Sequence, residues 1–324
     1  MNCPICGSAA PKSELHTWKD PVGGEHYTLL RCRGCGTVFA DPFRAPGAAW
    51  YEKFSTADSY TSANPDRFLS FLRMARLEPG SSVLDLGCGN GAFMRLAAAR
   101  GLDAHGLDIN PNAIAAAKAA GLSQVFEGTF AELMESEPGR RYDAVTMFDY
   151  FEHLDAPLES LRLAAKALRS GGLLFVNTPN EDRPMPFGRD DFDQPPHHLT
   201  RWTAASLSAC LEANGFSVEK VESGYLPVRE FSRRLVNLVT GLALAAARAL
   251  RLVRRPGQVP AAGPGGAKAA VINTRRRLVR TFQEALYIAA FPFFLPLALY
   301  FKFTRKGAGI HLSVLARKRE PGAR

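Results

Sequence analysis

Acidic residues all but disappear from the last hundred positions of this 324-residue chain: from Tyr225 onward there are three Asp/Glu against 19 Lys/Arg, a net of +16. The remainder holds 28 acidic and 21 basic residues, a net of −7, and the two parts give the overall +9. A tail so poor in acids is expected to meet an anionic lipid surface or, as the rival reading, nucleic acid. The opening residues, MNCPICGSAA, lack both a basic start and an apolar run, so no signal peptide is expected. Cysteine is scarce, six in all, and without an export signal this argues against a disulfide framework and for a reducing compartment. Uncharged runs are short: ALYIAAFPFFLPLALYF, residues 285–301, has 17 residues and two prolines. That is the lower limit of the roughly 17–25 that spanning helices use.

Four of the six cysteines fall into two pairs, Cys3 and Cys6 in CPIC and Cys32 and Cys35 in CRGC. Each pair puts two thiolates on one tight turn, and four thiolates can close a tetrahedral zinc site with no open position, which implies a structural role. The segment between them reads as a hairpin that turns at Pro21–Gly24 and returns through HYTLLRC, hence a zinc ribbon. His16 and His26 are competing ligands in principle, but four cysteines already fill the shell.

Two familiar nucleotide-binding patterns are missing from the middle of the chain. SSVLDLGCGNGAFMRLAAARG has neither the G-x-G-x-x-G of dinucleotide sites nor the Lys-Ser/Thr of a P-loop. It has G-x-G-x-G instead, Gly87, Gly89 and Gly91, between a buried strand and a helix, with Asp85 two residues ahead. Glycines there let the chain turn sharply and a ligand approach the backbone. The next strand, DAHGLDIN, ends in Asp108, 17 residues after Gly91, where a carboxylate can accept both hydroxyls of a ribose. Alternating strands and helices continue through SQVFEG, YDAVTMFD, FEHLDAPLESLRLAAKAL and LLFVNTPN, which predicts a doubly wound, mainly parallel α/β sheet.

With VLDLGCGNG, GLDIN, YDAVTMFDYFEHL, ALRSGGLLFVNTPN and HHLTRWTAASLSACLEANGF in this order, the chain resembles the class I S-adenosylmethionine-dependent methyltransferases, in the ubiquinone-biosynthesis O-methyltransferase-like branch. The resemblance covers roughly residues 51–226 and a last strand near the C-terminus. A cysteine ribbon ahead of such a domain is also similar to bacterial methyltransferases of surface-polysaccharide clusters and to sugar methyltransferases with an N-terminal zinc module. The resemblance implies S-adenosylmethionine as cofactor, with Gly87, Gly89 and the rest of the loop to Gly91 at its methionine part, Asp108 on the ribose, Thr129 and Phe130 beside the adenine, Phe148 on the sulfonium side and Asp85 positioning the loop. Arg67, and similarly Tyr60, could reach the methionine carboxylate; a solvated helix residue is the alternative for Arg67.

Methyl transfer from a sulfonium asks for in-line positioning and, for a hydroxyl acceptor, a base. Two groups of residues fall at the carboxyl ends of the strands. Asp149, Glu152 and His153 would share one helical face, able to hold a divalent ion or act as a base. The branch carries Glu-x-x-Glu-His there, and Asp149 replaces the first Glu; the alternative is that Glu152 and His153 only fix the helix. In PPHHLTRWT, His197 and His198 precede a helix that Thr203 and Ser206 would start, and His197 is the candidate general base. Cys88 and Cys210 read as packing residues.

FSVEKVESGYLP fits the sixth strand of such a sheet and GIHLSVLARKRE the seventh. The expected organisation is a zinc ribbon at 1–45, a cofactor-binding core at 46–226, a helical, apolar and basic insertion at 227–308, and a final strand with basic tail at 309–324. Since strands six and seven pair, both ends of the insertion emerge on one side, so it crosses a membrane twice or not at all. Seven basic residues between its apolar segments, 235–253 and 285–301, with Arg248 and Arg251 at the end of the first, oppose export of the loop. The expectation is a cytoplasmic enzyme seated peripherally on the inner face of a membrane, acting on a small-molecule or lipid-linked acceptor. An enlarged soluble core or a dimer interface is the alternative for the insertion.

Overall fold

The computed structural model describes residues 2–47, 50, 65–183, 191–224, 292, 296 and 309–320. Cα packing divides the chain into two units, one of Met1–Pro184, Arg189–Gly224 and Gly309–Arg324, the other of Met185–Gly188 and Tyr225–Ala308. Tyr60 and the apolar segments expected for the insertion lie outside the described residues, save Pro292 and Pro296. Among the described residues no helix is long and apolar enough to cross a membrane.

In the first unit the N-terminal hairpin forms where its turn residues demand it. Strand β1 (Lys12–Lys19) pairs antiparallel with β2 (His26–Cys32), and β2 pairs with β3 (Val38–Asp41). Asp20 closes the turn, its carboxylate accepting from the backbone N–H of Val22 (3.0 Å) and Gly23 (2.6 Å). A fourth strand joins this sheet from far along the chain: β9 (Thr200–Arg201) pairs with β3. The ribbon expected at 1–45 therefore packs within the first unit. Cys3, Ile5, Cys32 and Phe39 share one buried cluster with Trp202, Leu207 and Leu211.

The larger sheet has seven strands in the order β10–β11–β8–β7–β4–β5–β6. Strands β4 (Ser82–Leu86), β5 (Asp103–Asp108), β6 (Val125–Glu127), β7 (Tyr142–Phe148) and β8 (Leu168–Pro179) run parallel. The run β4–β5–β6 builds outward on one side and β7–β8 on the other, so the chain reverses direction between β4 and β7, where an open α/β sheet forms its crevice. Helix α1 (Asp66–Ala75) precedes the sheet; α2 (Ala92–Ala98), α3 (Pro111–Ala119), α4 (Phe130–Ser136) and α5 (Pro157–Ala167) connect its parallel strands; α6 (Ala204–Ala213) leads to β10 (Phe216–Ser223). The caps match the residue types: Asn110 accepts from Asn112 N–H, and Thr129–Glu132 and Thr203–Ser206 form capping boxes.

The helix expected from Phe151 to Leu168 is broken. Phe151–His153 makes a single 3-10 turn, Pro157 starts α5, and Leu168 already belongs to β8. Proline suits the first helical turn, where its missing N–H costs nothing, and that moves the start past Asp155.

Strand β11 (His311–Lys318) lies between β8 and β10, antiparallel to both, so the expected sixth and seventh strands pair as read. The strand ends meet closely: Gly224 N–H donates to His311 O (2.7 Å) and Gly309 N–H to Ser223 Oγ (2.6 Å). Replacing residues 225–308 by an Asn-Gly turn should therefore leave a protein that unfolds in one cooperative thermal transition. A chain ended at residue 224 loses the strand that β8 and β10 share and should show no such transition by circular dichroism.

Candidate functional site

The crevice at the β4–β7 reversal is lined by the ends of β4, β5 and β7. Gly87, Gly89 and Gly91 all adopt positive φ, 75°, 54° and 75°. At Gly91 a Cβ would lie 2.0 Å from Leu122 Cδ1, so packing as well as backbone demands glycine. At Gly89 a Cβ would meet nothing within 4 Å: this turn of the loop faces open space. Asp108, at the end of β5, accepts from Gly89 N–H (2.9 Å) and Asn110 N–H (2.8 Å). Burial pushes its carboxyl above the usual range, against three backbone N–H groups that pull it down. An open glycine backbone with a carboxylate 2.9 Å from its N–H forms a cradle suited to a ligand carrying hydroxyl groups.

Asp85 lies beneath the loop. It is buried on β4, accepts from Thr146 Oγ1 (2.8 Å), and burial pushes its carboxyl up to about 7. Cys88 packs with Met94 and Ile114, as a small core residue. Phe148 belongs to an aromatic cluster with Phe68, Phe93 and Phe175 at centroid distances of 4.9, 4.8 and 5.4 Å. Phe130 is buried in the main core, and the Thr129 hydroxyl is engaged in its capping box with Glu132.

Arg67, on α1, donates to Asp149 Oδ2 at 2.5 Å. Asp149 follows β7 in a left-handed conformation (φ 46°), its N–H bonded to Asn177 O (2.9 Å). Strain of this kind concentrates where surrounding structure holds a residue for use. Opposite stands His311 at the start of β11, its Nδ1 3.7 Å from Asp149 Oδ1. The sequence was read without His311; its place at the head of the expected last strand was the signal that could have found it.

The structure does not gather Asp149, Glu152 and His153 around one point. The 3-10 turn, in place of a helix, sends Glu152 inward: it is 1% exposed, its two oxygens have no hydrogen-bond partner among the described residues, and burial raises its carboxyl well above the usual range. His153 turns to the histidine loop, donating from Nδ1 to His197 O at 2.5 Å. The rings of His153, His197 and His198 lie 4.5–4.9 Å apart by centroid, with nitrogens within 4.8 Å of one another. His197 and His198 are stacked at 18°, so their in-plane lone pairs occupy separate, nearly parallel planes and converge poorly on an ion. Trp50 stacks on His197 from another side (5.9 Å, 25°).

Behind the loop, buried Arg183 pairs with Asp193, and His198 Nδ1 lies 3.6 Å from Asp193 Oδ1. Burial alone would raise the Asp193 carboxyl, but His198 and Arg183 outweigh it and hold it below the usual range. Asp193 and Arg183 were not foreseen, since a polar, proline-rich segment gave no period from which to choose among its charges; Trp50 lay between the ribbon and the core with no motif around it.

The cysteine pairs come together. Cys3 Sγ lies 3.8 Å from Cys35 Sγ and Cys6 Sγ 3.8 Å from Cys32 Sγ, and all four sulfurs lie within 4.8 Å of one another. A tetrahedron with zinc–sulfur bonds of ~2.3 Å has edges of ~3.8 Å, so the donor set fits that ion. Gly34 N–H points at Cys32 Sγ (3.3 Å), a contact that favours a thiolate. His16 is not part of this group, and its Nε2 is bonded to Gln194 Oε1 (3.1 Å). Cys210 is buried on α6 in the main core.

A family profile described as a methyltransferase domain matches residues 57–221, more than half of the chain, and the chain belongs to that family. Among curated proteins it is similar to the ubiquinone biosynthesis O-methyltransferase of Xanthomonas campestris pv. campestris (strain B100), 30% identical over 145 residues, covering 43% of this chain and 60% of the relative. It is similar too to that of Bordetella avium, 29% identical over 146 residues, covering 44% and 61%. The matches thus span about three-fifths of the length of these relatives. Among solved structures, a SAM dependent methyltransferase from Archaeoglobus fulgidus is 19% identical with a TM-score of 0.48, covering 83% of this chain and 98% of that one.

Burial and neighbouring imidazoles press His153 down to about 3 and His198 to about 4, the latter against the pull of Asp193. Their unfolded-state value is ~6.5. Between these limits the two imidazoles bind protons only in the unfolded chain, so their contribution to stability falls as pH drops below about 6.5, while the raised carboxyls of Asp85, Asp108 and Glu152 contribute with the opposite sign. Denaturant titrations at stepped pH should show the stability of the parent relative to His198→Gln falling as pH drops from about 6.5 to about 4.

Proposed function

We propose that the protein is an S-adenosylmethionine-dependent methyltransferase that methylates an oxygen of a membrane-presented acceptor. The observation that carries the reading is the Gly89–Asp108 cradle at the sheet's reversal point, in a chain of the methyltransferase family. When bound, S-adenosylmethionine supplies an electrophilic methyl group. Asp108 would hold the ribose hydroxyls, and the Gly87–Gly91 backbone would receive the methionine part. Arg67, held by Asp149, would set the charge beside that end, and Phe148 would lend an apolar wall. Asp85 would support the loop from below through Thr146. Thr129 and Phe130 would shape the adenine side through the start of α4 rather than by side-chain hydrogen bonds.

On the acceptor side, His197 would take the hydroxyl proton, with His153 fixing its backbone and Trp50 its ring. The four cysteines would hold a structural zinc. The curated relatives are named for ubiquinone biosynthesis, and a lipid-linked saccharide, a lipid or a quinone all fit a tail with a net charge of +16 and two apolar segments. The protein would then work on the cytoplasmic face of the membrane.

Calorimetry tests the first part: S-adenosylmethionine should bind one per chain, and Asp108→Ala should weaken it by about 10- to 100-fold, as expected for losing hydrogen bonds to a charged group. Absence of binding to the parent chain would refute the reading. For the second part, the full chain should float with vesicles containing anionic phosphatidylglycerol, while the chain with 225–308 replaced by a short turn should stay at the bottom of the gradient. Equal behaviour of both would remove the membrane.

A further inference from the structure

The loop that carries His197 and His198 is built as much by the cysteine ribbon as by the sheet beneath it. On the ribbon side, Ala40 N–H donates to Leu199 O (2.9 Å), and Thr200 and Arg201 pair with Phe39 and Val38. Leu199 is buried among Tyr27, Leu29, Val38 and Ala40. Gln194 Oε1 accepts from Arg201 (2.9 Å) and contacts His16 Nε2 (3.1 Å). Asp20, in the ribbon's hairpin turn, accepts from Trp50 Nε1 (2.9 Å), and the Trp50 ring stacks on His197. On the sheet side, the ties among the described residues include Leu199 N–H to Glu152 O (2.9 Å), His153 to His197 O, Glu181 N–H to Trp202 O (2.8 Å) beside the Asn180–Trp202 bridge, the Phe151–Trp202 ring contact and the Arg183–Asp193 pair. The salt bridge Arg31–Glu181 (2.8 Å) ties the ribbon to that same end of β8.

Two of these strands depend directly on the cysteines. Cys32 ends β2, and Cys35 lies three residues before β3. The link from β2 to β3 is therefore the knuckle itself, closed by Gly36 N–H to Cys32 O and Cys32 N–H to Thr37 O. A two-residue strand such as β9 has little stability of its own and takes its position from its neighbour.

We propose that the ribbon is the positioning element of the histidine loop, so that a metal held by Cys3, Cys6, Cys32 and Cys35 sets the place of His197 while leaving the Gly87–Gly91 and Asp108 cradle untouched. The cradle draws its contacts from β4, β5 and α2, none of which pairs with the ribbon sheet. That the loop faces the acceptor rests on the methyltransferase reading; the mechanical coupling does not.

Hydrogen exchange followed by mass spectrometry on the zinc-loaded full chain tests the coupling, with calorimetry of S-adenosylmethionine alongside. Chelation, or Cys6→Ser at the exposed cysteine, should speed exchange in peptides covering 194–201 by about tenfold or more, while peptides covering 82–108 and cofactor affinity stay within about twofold. Asp20→Ala keeps all four cysteines and should loosen the same peptides to a smaller degree at one zinc per chain. Unchanged exchange at 194–201 after metal removal would overturn the proposal. So would equal loosening of 82–108, which would make the ribbon a general support of the fold. If the zinc-loaded parent binds no S-adenosylmethionine, the methyltransferase reading falls, and the exchange data still decide the coupling.

Discussion

The pairing of β11 between β8 and β10 is the constraint on which the rest of the molecule depends. Seven residue pairs join β11 to β8 and seven join it to β10, so the last described segment is a central element of the sheet. Residues 225–308 must therefore leave and re-enter at one point, between Gly224 and Gly309. The same pairing brings His311 to the carboxyl end of β7, beside Asp149 and Arg67, and so adds a residue from the end of the chain to a crevice otherwise built from its middle.

Much of the scaffold could be read from local rules. The hairpin turn at Pro21–Gly24, the strand His26–Cys32, the glycine loop after β4 and the cap at Thr203 each follow from residue types whose backbone preferences leave few choices, whereas the helix that Thr129 caps was not expected. Cysteine spacing brought four sulfurs together because two knuckles on one hairpin have little freedom to part. Strand β11 was legible through the resemblance, since such a sheet closes with two antiparallel strands and GIHLSVLARKRE is the apolar segment that follows the insertion.

The site was less legible, and the failures share a cause. Asp149, Glu152 and His153 were placed on one helical face by a period of 3.6 residues, but the helix starts only at Pro157. A 3-10 turn and a left-handed Asp149 then send the three side chains to three environments: Arg67 and His311, the core, and the histidine loop. Long-range partners such as Trp50 and Gln194 leave no local pattern, because their contacts to Asp20 and His16 are set by tertiary packing, to which the pairing of β9 with β3 belongs. That short ladder also makes the ribbon part of the site's architecture rather than a module beside it.

The crevice at the β4–β7 reversal, over the ends of β4 and β5, is the proposed seat of S-adenosylmethionine. A crystal structure of the zinc-loaded chain with S-adenosylhomocysteine tests it most directly. The ribose hydroxyls should lie on Asp108 and the amino acid end over Gly89. Density for the nucleoside at any other place, or its absence at saturating concentration, would contradict it.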